Sequence, residues 1–407
     1  MDLPQELVDT ILDILHDDIP SLKSCSLAAR TFVISARKHI FKKIEILSSS
    51  DASQRFYELL CSSPHIAPLV EDLCITSVLE KFVLCAYLDP SGDYMSGRAL
   101  SLILPLLTEL IRISLIDTGD VNHQTGLQYS RSWNKMEPPL QSALANVFSS
   151  PRLEAVHLCG LVLESPCHLL SLFSEATALR EMSLSRLYFT QAEHKPWPES
   201  QLWRPKLRFL LLNASSFDFC QYLVNPQIDL THVRTLRVAT PSPEQRRKIV
   251  LATSLRHSRG VEHLGTYLAY NFEMHISDLS PDLFTTNLRS IHFFSLLIVE
   301  LLGVFVKMCP HDSRLEYVTL EGFADFQQVT PVPELHTAID ATVAHLPALK
   351  TIEMRCIMGE NESSAVFTQW ETDVQTAVSS LVRRGVLRLT TIRFGQGSGS
   401  LLPIGWE

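Results

Sequence analysis

The clearest pattern along the chain is a short apolar template that recurs through most of its length. An apolar residue stands first, a second follows three positions later, and a third stands two positions beyond that, as in Leu153-x-x-Val156-x-Leu158. Copies begin at residues 70, 110, 153, 179, 207, 233, 288, 315, 349 and 389, and a degraded copy at Val261 fills the one gap. Between residues 153 and 315, successive copies start 26 to 28 residues apart, a spacing too regular for chance apolar runs.

This spacing predicts parallel β-strands joined by helices. The last two apolar positions of each copy are two apart, so they lie on one face of a strand. The intervening stretch of about 20 residues is long enough for a crossover helix between parallel strands. Amphipathic helices are predicted at 51–61, 142–148, 168–173, 243–255, 296–308, 334–346 and 364–383. The expected fold class is α/β, a curved solenoid with concave parallel strands and convex helices, and another alternating α/β layout is the alternative.

Residues 1–47 have helical rather than strand periodicity. Asp2 and Pro4 suit a helix start, and Ser21 suits the start of a second helix. Three apolar stripes with helical spacing follow: Leu7, Ile11 and Leu15; Leu22, Cys25 and Ala29; Phe32, Ala36 and Ile40. Helices this short cannot enclose a large core alone. Some of their apolar surface must therefore face another element or a partner.

The same residues carry a resemblance to a known family. Leu3-Pro4-x-Glu6-Leu7, then Ser21-Leu22-x-Ser24-Cys25-Ser26-Leu27 and Ile40-Phe41, resemble an F-box over about the first 45 residues. The resemblance implies binding to the Skp adaptor of a Skp–cullin–F-box ubiquitin ligase, and through it to a cullin. The implied adaptor contacts are Leu3, Pro4, Leu7, Ile11, Leu15, Leu22, Cys25, Leu27, Phe32 and Ile40. The chain departs from the family in having no Trp near the third helix.

The recurring template resembles a leucine-rich repeat. The asparagine usually found three residues beyond the last leucine is missing, and Leu161, Leu187, Ser215, Pro241 and Leu296 occupy that position. The array is therefore similar to the long, irregular repeats that accompany F-boxes. The expected domains are a helical module at 1–47, a repeat solenoid at 48–394 and a flexible tail at 395–407.

Composition excludes several functional classes. The net charge of −9 argues against nucleic acid as the main ligand, because phosphate binding needs a basic face. The nine cysteines include no C-x-x-C pair, so they indicate reduced thiols in a cytoplasmic or nuclear protein rather than a metal site. The apolar stretches at 99–116 and 293–308 are interrupted by charges, so no membrane segment is expected.

No sequence motif for catalysis is present. Neither G-x-S-x-G nor H-E-x-x-H occurs, and the glycine-rich stretch at 395–399 lacks the Lys-Ser/Thr of a phosphate loop. We therefore expect no enzyme activity and no cofactor. An enzyme with an unfamiliar site is the weakest of three hypotheses.

Polar residues interleaved with the template's apolar positions mark the surface that a protein substrate would meet. They are His157, Ser183, Arg237, His292, Thr319, Glu353 and Arg393, with Arg186, Tyr188 and Glu321 in the loops that leave the strands. Tyr129 and Trp133, in the long polar segment 117–139, are candidate aromatic anchors. The segment 192–205 offers Trp197 and Trp203 in the same way. For each residue the alternative is an ordinary solvated position, and for both segments it is a disordered insertion.

The leading hypothesis is a substrate-recognition subunit of a Skp–cullin–F-box ubiquitin ligase. Its helical module would bind the adaptor, its repeats would bind the protein substrate, and another enzyme would perform the chemistry. The second hypothesis is a protein-binding scaffold whose N-terminal helices only cap the first repeat.

Overall fold

The chain forms a mixed α/β protein with parallel sheet and several helices, as its computed structural model shows. Two compact units divide it, Met1–Trp197 and Pro198–Glu407. The structure describes residues 4–47, 50–77, 95–117, 131–190, 205–213, 228–239, 260–267, 287–294, 309, 313–323, 332–358, 368, 372 and 385–393.

The first unit begins with three helices that have a core of their own. They are α1 (Gln5–Ile14), α2 (Ile19–Ala28) and α3 (Arg30–Lys42), which we call the helical module. Val8, Leu12, Leu22 and Ala36 are completely buried at its centre. Leu15, Ile19, Cys25, Phe32 and Ile40 pack around them and are partly buried. Residues from all three predicted stripes therefore contribute to one small core.

Polar contacts fix the ends and crossings of these helices. The side chain of Asp18 accepts a hydrogen bond of 3.1 Å from the backbone N–H of Ser21 and one of 2.6 Å from its hydroxyl. These bonds lower the pKa of Asp18. The N-cap of α2 is therefore Asp18. The prediction that Ser21 caps this helix is wrong, because Ser21 lies in the first turn and donates its hydrogen bonds to Asp18. Nε2 of His39 lies 2.9 Å from a carboxylate oxygen of Asp13, which ties α3 to α1.

A parallel sheet follows the helical module directly. Its strands, in spatial order, are β1 (Lys43–Leu47), β2 (Asp72–Ser77), β3 (Arg112–Asp117), β5 (Ala155–Cys159) and β7 (Glu181–Ser185). The predicted apolar pairs align in register, with Leu73 opposite Ile113 and Ile75 opposite Leu115. Strand β1 was not predicted: Ile44 and Ile46 pair with Leu73 and Ile75. The last five residues assigned to the N-terminal module are thus a strand of this sheet.

The described part of the first unit also contains helices and a second, short sheet. The helices are α4 (Ser50–Ser62), α5 (Met95–Ile103), α6 (Pro138–Phe148) and α7 (Pro166–Leu172), with single 3₁₀ segments at Pro64–Leu69, Leu104–Leu106 and Trp133–Lys135. The short sheet has the parallel strands β4 (Arg131–Ser132), β6 (Leu161–Leu163) and β8 (Tyr188–Phe189). Leu161 and Leu187 are buried, so apolar packing surrounds both positions.

Seven parallel strands form the sheet of the second unit. In both sequence and space they run β9 (Phe209–Asn213), β10 (Thr235–Ala239), β11 (His263–Tyr267), β12 (Ser290–Phe294), β13 (Tyr317–Phe323), β14 (Thr351–Met358) and β15 (Leu387–Arg393). One helix is described, α8 (Val332–His345). The buried pair Leu236 and Val238 sits opposite Leu210 and Leu212, as the template predicts.

The register predicted for the last strand is wrong. The template placed Ile392 and Phe394 opposite Ile352 and Met354, but the structure pairs those residues with Leu387 and Leu389. The sequence from 387 to 394 contains two apolar pairs with the same spacing, so local pattern alone does not choose between them. The register is determined by the neighbouring strand β14, because the buried side chains of Ile352 and Met354 need apolar neighbours on the same face of β15.

A row of alternating charges stands just before the strands of the second unit. Glu262 lies between Arg234 and Arg289, with N···O distances of 3.7 and 3.8 Å. Beyond them, Nζ of Lys350 lies 2.6 Å from Oε2 of Glu316. Backbone hydrogen bonds of 2.8 Å link each of these residues to the next, from Glu262 back to Arg234 and onward to Lys350. Opposite charges on adjacent strands favour this register over a shifted one.

Of the seven helices predicted after residue 47, four are confirmed and three lie wholly or mostly outside the described residues. The predictions at 51–61, 142–148, 168–173 and 334–346 correspond to α4, α6, α7 and α8. The predictions at 243–255 and 296–308, and almost all of 364–383, lie outside the described residues, as does the tail from 394 onward. In the part of the chain that the structure describes, no helix has the length and apolarity needed to cross a bilayer.

An aromatic cluster forms part of the first unit's core. Trp133 lies 6.2 Å from Phe148 and 5.7 Å from His168, measured between ring centroids, and Phe173 completes the group. Nδ1 of His168 is buried, and it has no hydrogen-bond partner in the part of the chain that the structure describes. Burial lowers the pKa of His168, and the nearby charge of Glu164 only partly opposes that effect.

Reversing the charge of Glu262 should destabilise the second unit. Glu262→Lys replaces two attractive pairs with a run of three positive charges, which should lower the free energy of unfolding by about 1 kcal/mol. Urea unfolding at low salt measures the change. Glu175→Lys, at an exposed glutamate of the first unit for which the structure shows no ion pair, is the matched control and should have almost no effect.

Acid should destabilise the first unit through His168. Because the folded-state pKa is lowered, the unfolded chain binds more protons once the pH falls through about 6.5, and stability declines from there downward. His168→Phe keeps an aromatic ring beside Trp133 and removes the titration. The drop in melting temperature between about pH 7.5 and about pH 5.5 should be smaller in this variant. His232→Gln, an exposed site, should leave the drop unchanged.

Candidate protein-binding surfaces

The helical module leaves a group of large apolar side chains in contact with solvent. Leu7, Ile11 and Ile14 on α1 are 52%, 42% and 76% exposed, and Leu27 on α2 and Ile34 on α3 are 88% and 80% exposed. We call these five residues the exposed apolar set. Single exposed apolar residues are common on proteins, but several on three short helices are typical of a binding surface.

The exposed apolar set arises because α1 is apolar on two adjacent stripes. Val8, Leu12 and Leu15 have helical spacing and face the module's core. Leu7, Ile11 and Ile14 have the same spacing, one residue earlier along the chain, so they form a parallel stripe beside the buried one. The core is filled by one stripe, and the other remains on the surface.

The sequence-predicted adaptor residues occupy different places in this module. Pro4, Leu7, Ile11 and Leu27 are exposed, and Leu15, Cys25, Phe32 and Ile40 are partly buried. Leu22 is completely buried, which corrects its assignment from a surface contact to a core residue. Leu3 lies outside the described residues.

Two members of the exposed apolar set were not predicted. Ile14 stands seven residues after Leu7, a helical repeat that the spacing-four stripe ending at Leu15 passes over. Ile34 precedes Ser35, which contacts Gln5 across the α1–α3 crossing. A search for a second apolar stripe on α1 would have found Ile14, but no sequence pattern singles out Ile34.

In the first unit, the interleaved strand positions form one row across the sheet. His157 is opposite Ser183 on one side and Ser114 on the other. Cys74 and Glu45 continue the row to β1. The predicted pair His157 and Ser183 is therefore adjacent, and the row is otherwise made of small or acidic residues.

In the second unit, the interleaved positions bring charged residues together. The row runs Leu211, Arg237, Gly265, His292, Thr319, Glu353 and Arg388 across the strands β9 to β15. Two residues farther along their strands, Glu321 and Arg355 are opposite each other. We call Arg237, His292, Glu321, Glu353 and Arg355 the charged cluster.

Short contacts connect four members of the charged cluster. Nε2 of His292 lies 2.9 Å from Oε2 of Glu321, and Nη1 of Arg355 lies 3.8 Å from the same oxygen. Nη2 of Arg355 donates to Oε2 of Glu353 at 2.9 Å. Thr390 donates to the other oxygen of Glu353 at 3.2 Å. Burial raises the pKa of Glu353, but these two donors and nearby Arg388 outweigh it, so the pKa is lowered.

Glu321 is the most buried member of the charged cluster. Its side chain has no exposed surface, although its Oε1 has no hydrogen-bond partner among the described residues. The prediction that Glu321 lies on a loop leaving the strand is wrong, because β13 continues to Phe323. Arg355 was missed for the same reason: β14 runs to Met358, beyond the template, and brings a further residue onto the same face.

Arg237 stands at the other side of the charged cluster. Its guanidinium carbon lies 5.6 Å from the centroid of the Phe209 ring, within cation–π range. Burial and then the positive charge of Arg355 lower the pKa of Arg237, whereas Glu321 raises it. Arg237 and Arg355 therefore interact electrostatically, although they come from strands that are not neighbours.

The remaining candidates separate into three cases. Trp133 is 5% exposed within the aromatic cluster, which corrects the expectation of an exposed anchor. Tyr129 and residues 192–204 lie outside the described residues. Arg393 pairs with Met358 at the end of β15, and the position equivalent to Glu353 on that strand is held by Arg388.

No protein-family model matches the chain, and no curated protein matches it. Among the described residues, no group of three or more His, Cys, Asp or Glu side chains could hold a metal ion.

Removing the cation at the centre of the charged cluster should be costly. Arg355→Met leaves the carboxylates of Glu353 and Glu321 without their nearest guanidinium, and should lower the free energy of unfolding by about 3 kcal/mol. The double variant Arg355→Met/Glu353→Leu removes one stranded charge and should be less destabilised than the single variant. Urea unfolding of both, beside Arg388→Met as a control, measures the coupling. An equal loss in all three would contradict the contacts described here.

Proposed function

We propose that the chain is the substrate-recognition subunit of a Skp–cullin–F-box ubiquitin ligase. In this proposal the helical module is an F-box that binds the Skp adaptor, and the parallel strands belong to an irregular leucine-rich-repeat solenoid that binds a protein substrate. The chain performs no covalent chemistry, and transfer of ubiquitin belongs to other subunits.

The exposed apolar set is the observation that carries the proposal. A helical cap that served only its own chain would bury these side chains. Instead, the module closes a core around Val8, Leu12 and Leu22 and leaves Leu7, Ile11 and Ile14 uncovered. Full burial of a Leu or Ile side chain is worth about 1.5–3 kcal/mol, and a partner that covers the exposed part of these side chains would gain a corresponding share of it.

The position of these residues also supports an F-box. Leu7 and Ile11 belong to the sequence pattern that begins Leu3-Pro4, and Leu27 belongs to the Leu22–Leu27 part of it. All three are exposed in the structure. The residues that the resemblance assigns to the adaptor therefore include those with apolar surface to offer.

Charge substitution on α1 tests adaptor binding. Leu7→Lys/Ile11→Lys places two ammonium groups where the adaptor would bury apolar surface, while the module's own core is untouched. Co-purification of the chain with a Skp adaptor should be lost, and the affinity measured by calorimetry should fall by at least about 100-fold.

A matched control is available on another helix of the same unit. Leu102 on α5 is 44% exposed, a fraction similar to the 42% of Ile11, and it lies outside the helical module. Leu102→Lys should leave adaptor binding intact. Adaptor binding that is unchanged in Leu7→Lys/Ile11→Lys, or absent in the unaltered chain, would refute the assignment.

One observation favours the second function, a scaffold whose helices cap the sheet. Helix α3 ends at Lys42 and β1 begins at Lys43, so the module is joined to the sheet without a linker. The scaffold hypothesis expects a chain that ignores the adaptor and becomes insoluble when residues 1–42 are deleted. Retained solubility of that deletion, together with adaptor binding by the full chain, would exclude it.

A further inference from the structure

The first unit contains an apolar depression where the ends of β2, β3 and β5 meet α5 and α6. It holds about 430 Å³ of empty space, part of it open to solvent. Small-molecule sites in proteins have volumes of about 300–1,000 Å³, so this one is at the small end of the range. Most of its wall is apolar and is formed by Ile75, Leu100, Leu115, Ile116, Leu140 and Leu144. A small apolar group that enters it leaves water for an apolar surface.

One residue of the wall brings a reactive group to this depression. Cys159 is the last residue of β5 and lines the depression together with Gly160 and Leu161. The residue is partly exposed, and its side chain is a thiol rather than half of a disulfide. A molecule held by the apolar wall therefore lies beside a nucleophile.

A cation contacts the sulfur of Cys159. Nη2 of Arg186 donates a hydrogen bond of 3.3 Å to this Sγ. A guanidinium beside a thiol favours the thiolate, which is the form that attacks electrophiles. The backbone of Arg186 has a φ of 49°, whereas Gly160 holds the equivalent place one strand earlier with a φ of 74°. Glycine suits this left-handed conformation and arginine does not.

A buried hydroxyl stands on the strand next to the sulfur. Ser185 of β7 is directly opposite Cys159, so the two side chains leave the same face of the sheet. Ser185 is 3% exposed, and its Oγ has no hydrogen-bond partner among the described residues. Buried hydroxyls usually have such a partner. A second donor is thus available beside Cys159 when its sulfur carries negative charge.

Two other thiols of the first unit have different surroundings. Burial raises the pKa of Cys74, and the charges of Glu45 and Asp72 add to that effect. Cys61 on α4 is exposed and does not line the depression. Cys159 combines a guanidinium at hydrogen-bond distance with an apolar wall, a combination that the structure shows at neither of these two thiols.

We propose that the depression binds a small apolar electrophile of the α,β-unsaturated aldehyde class, and that the thiolate of Cys159 adds to it. The sulfur forms a bond to the β-carbon, the electron pair of the double bond moves to the α-carbon, and that carbon takes a proton from water. Nothing leaves, and no oxidant or reductant is needed.

The apolar wall determines which electrophile is favoured. An alkyl chain on the aldehyde gains from burial against Leu115 and Leu144, whereas hydrogen peroxide, the other common reagent for thiolates, has no apolar part to bury. The site uses no residue of the helical module, so the proposal goes beyond adaptor binding and is independent of it.

Two aldehydes that differ only in chain length test the proposal. The full-length chain is treated with hexenal or crotonaldehyde, which carry a propyl and a methyl group on the reacting carbon. Borohydride fixes the adducts, and peptide mass spectrometry gives the rate of addition at each cysteine. The hexenal-to-crotonaldehyde rate ratio should be about ten-fold higher at Cys159 than at Cys61, because two further CH₂ groups leave water in the depression.

Cys61 is the internal control, because its exposed thiol cancels any difference in intrinsic reactivity between the two aldehydes. Equal rate ratios at Cys61 and Cys159, or no adduct at Cys159, would overturn the proposal. Rapid oxidation of Cys159 by hydrogen peroxide without a preference for hexenal would assign the thiol to redox chemistry and would overturn it as well.

Variants of Arg186 separate reactivity from folding. Arg186→Gly should melt at the same temperature or higher, because glycine accepts the left-handed backbone, yet addition at Cys159 should slow at least about five-fold for both aldehydes. Arg186→Lys should restore part of the rate. Arg180→Gln, at an exposed arginine of the same unit, is the matched control. An unchanged rate in Arg186→Gly, or an equal loss in Arg180→Gln, would contradict the assignment.

A variant of the wall tests where the alkyl chain lies. Leu115 is partly exposed, and Leu115→Phe narrows the depression. The rate ratio at Cys159 should fall towards the value at Cys61, while the rate with crotonaldehyde changes little. A ratio that stays about ten-fold higher in this variant would contradict binding of the chain in the depression. The comparison in the unaltered chain does not depend on this variant folding.

Discussion

The structure depends on the parallel pairing of strands whose apolar side chains, at positions two apart, align with those of the next strand on one face of the sheet. Ile113 and Leu115 of one strand must align with Val156 and Leu158 of the next, and the same condition recurs in the second unit, where Val318 and Leu320 align with Ile352 and Met354. A shift by one residue would turn every such pair to the other face. This condition fixes where each connection must return, and so produces the regular spacing of the sequence.

The candidate binding sites consist of side chains that the strand pairing and the helical core do not bury. In the second unit, residues between the buried positions are forced onto the opposite face, where Arg237, His292 and Glu353 share one row. Longer strands than the template requires add Glu321 and Arg355 to that face. In the helical module the analogous surplus is a second apolar stripe on α1. Each site is thus formed by residues that lie outside the core that their own element helps to build.

Sequence pattern predicted the strands that carry the recurring template, the three helices of the helical module and four later helices, because their periodicity is set by burial, which acts on each element separately. It failed where the outcome depends on a neighbour. Ile44 and Ile46 directly follow a helix and are not part of a template copy, yet they form a strand because they pair with β2. Leu387 and Leu389, not Ile392, lie opposite the buried residues Ile352 and Met354 because pairing with β14 determines the register. The burial of Trp133, and of Glu321 beneath its neighbours, likewise depends on tertiary contacts that no local spacing encodes.

In the proposed function, the helical module keeps apolar surface outside its own core for an adaptor protein. Hydrogen–deuterium exchange of the full chain, with and without a Skp adaptor at saturating concentration, would show whether an adaptor covers that surface. We expect slower exchange confined to α1, α2 and α3, with no change in β10 to β14 of the second unit. Unchanged exchange throughout α1, or protection found only in the second unit, would contradict it.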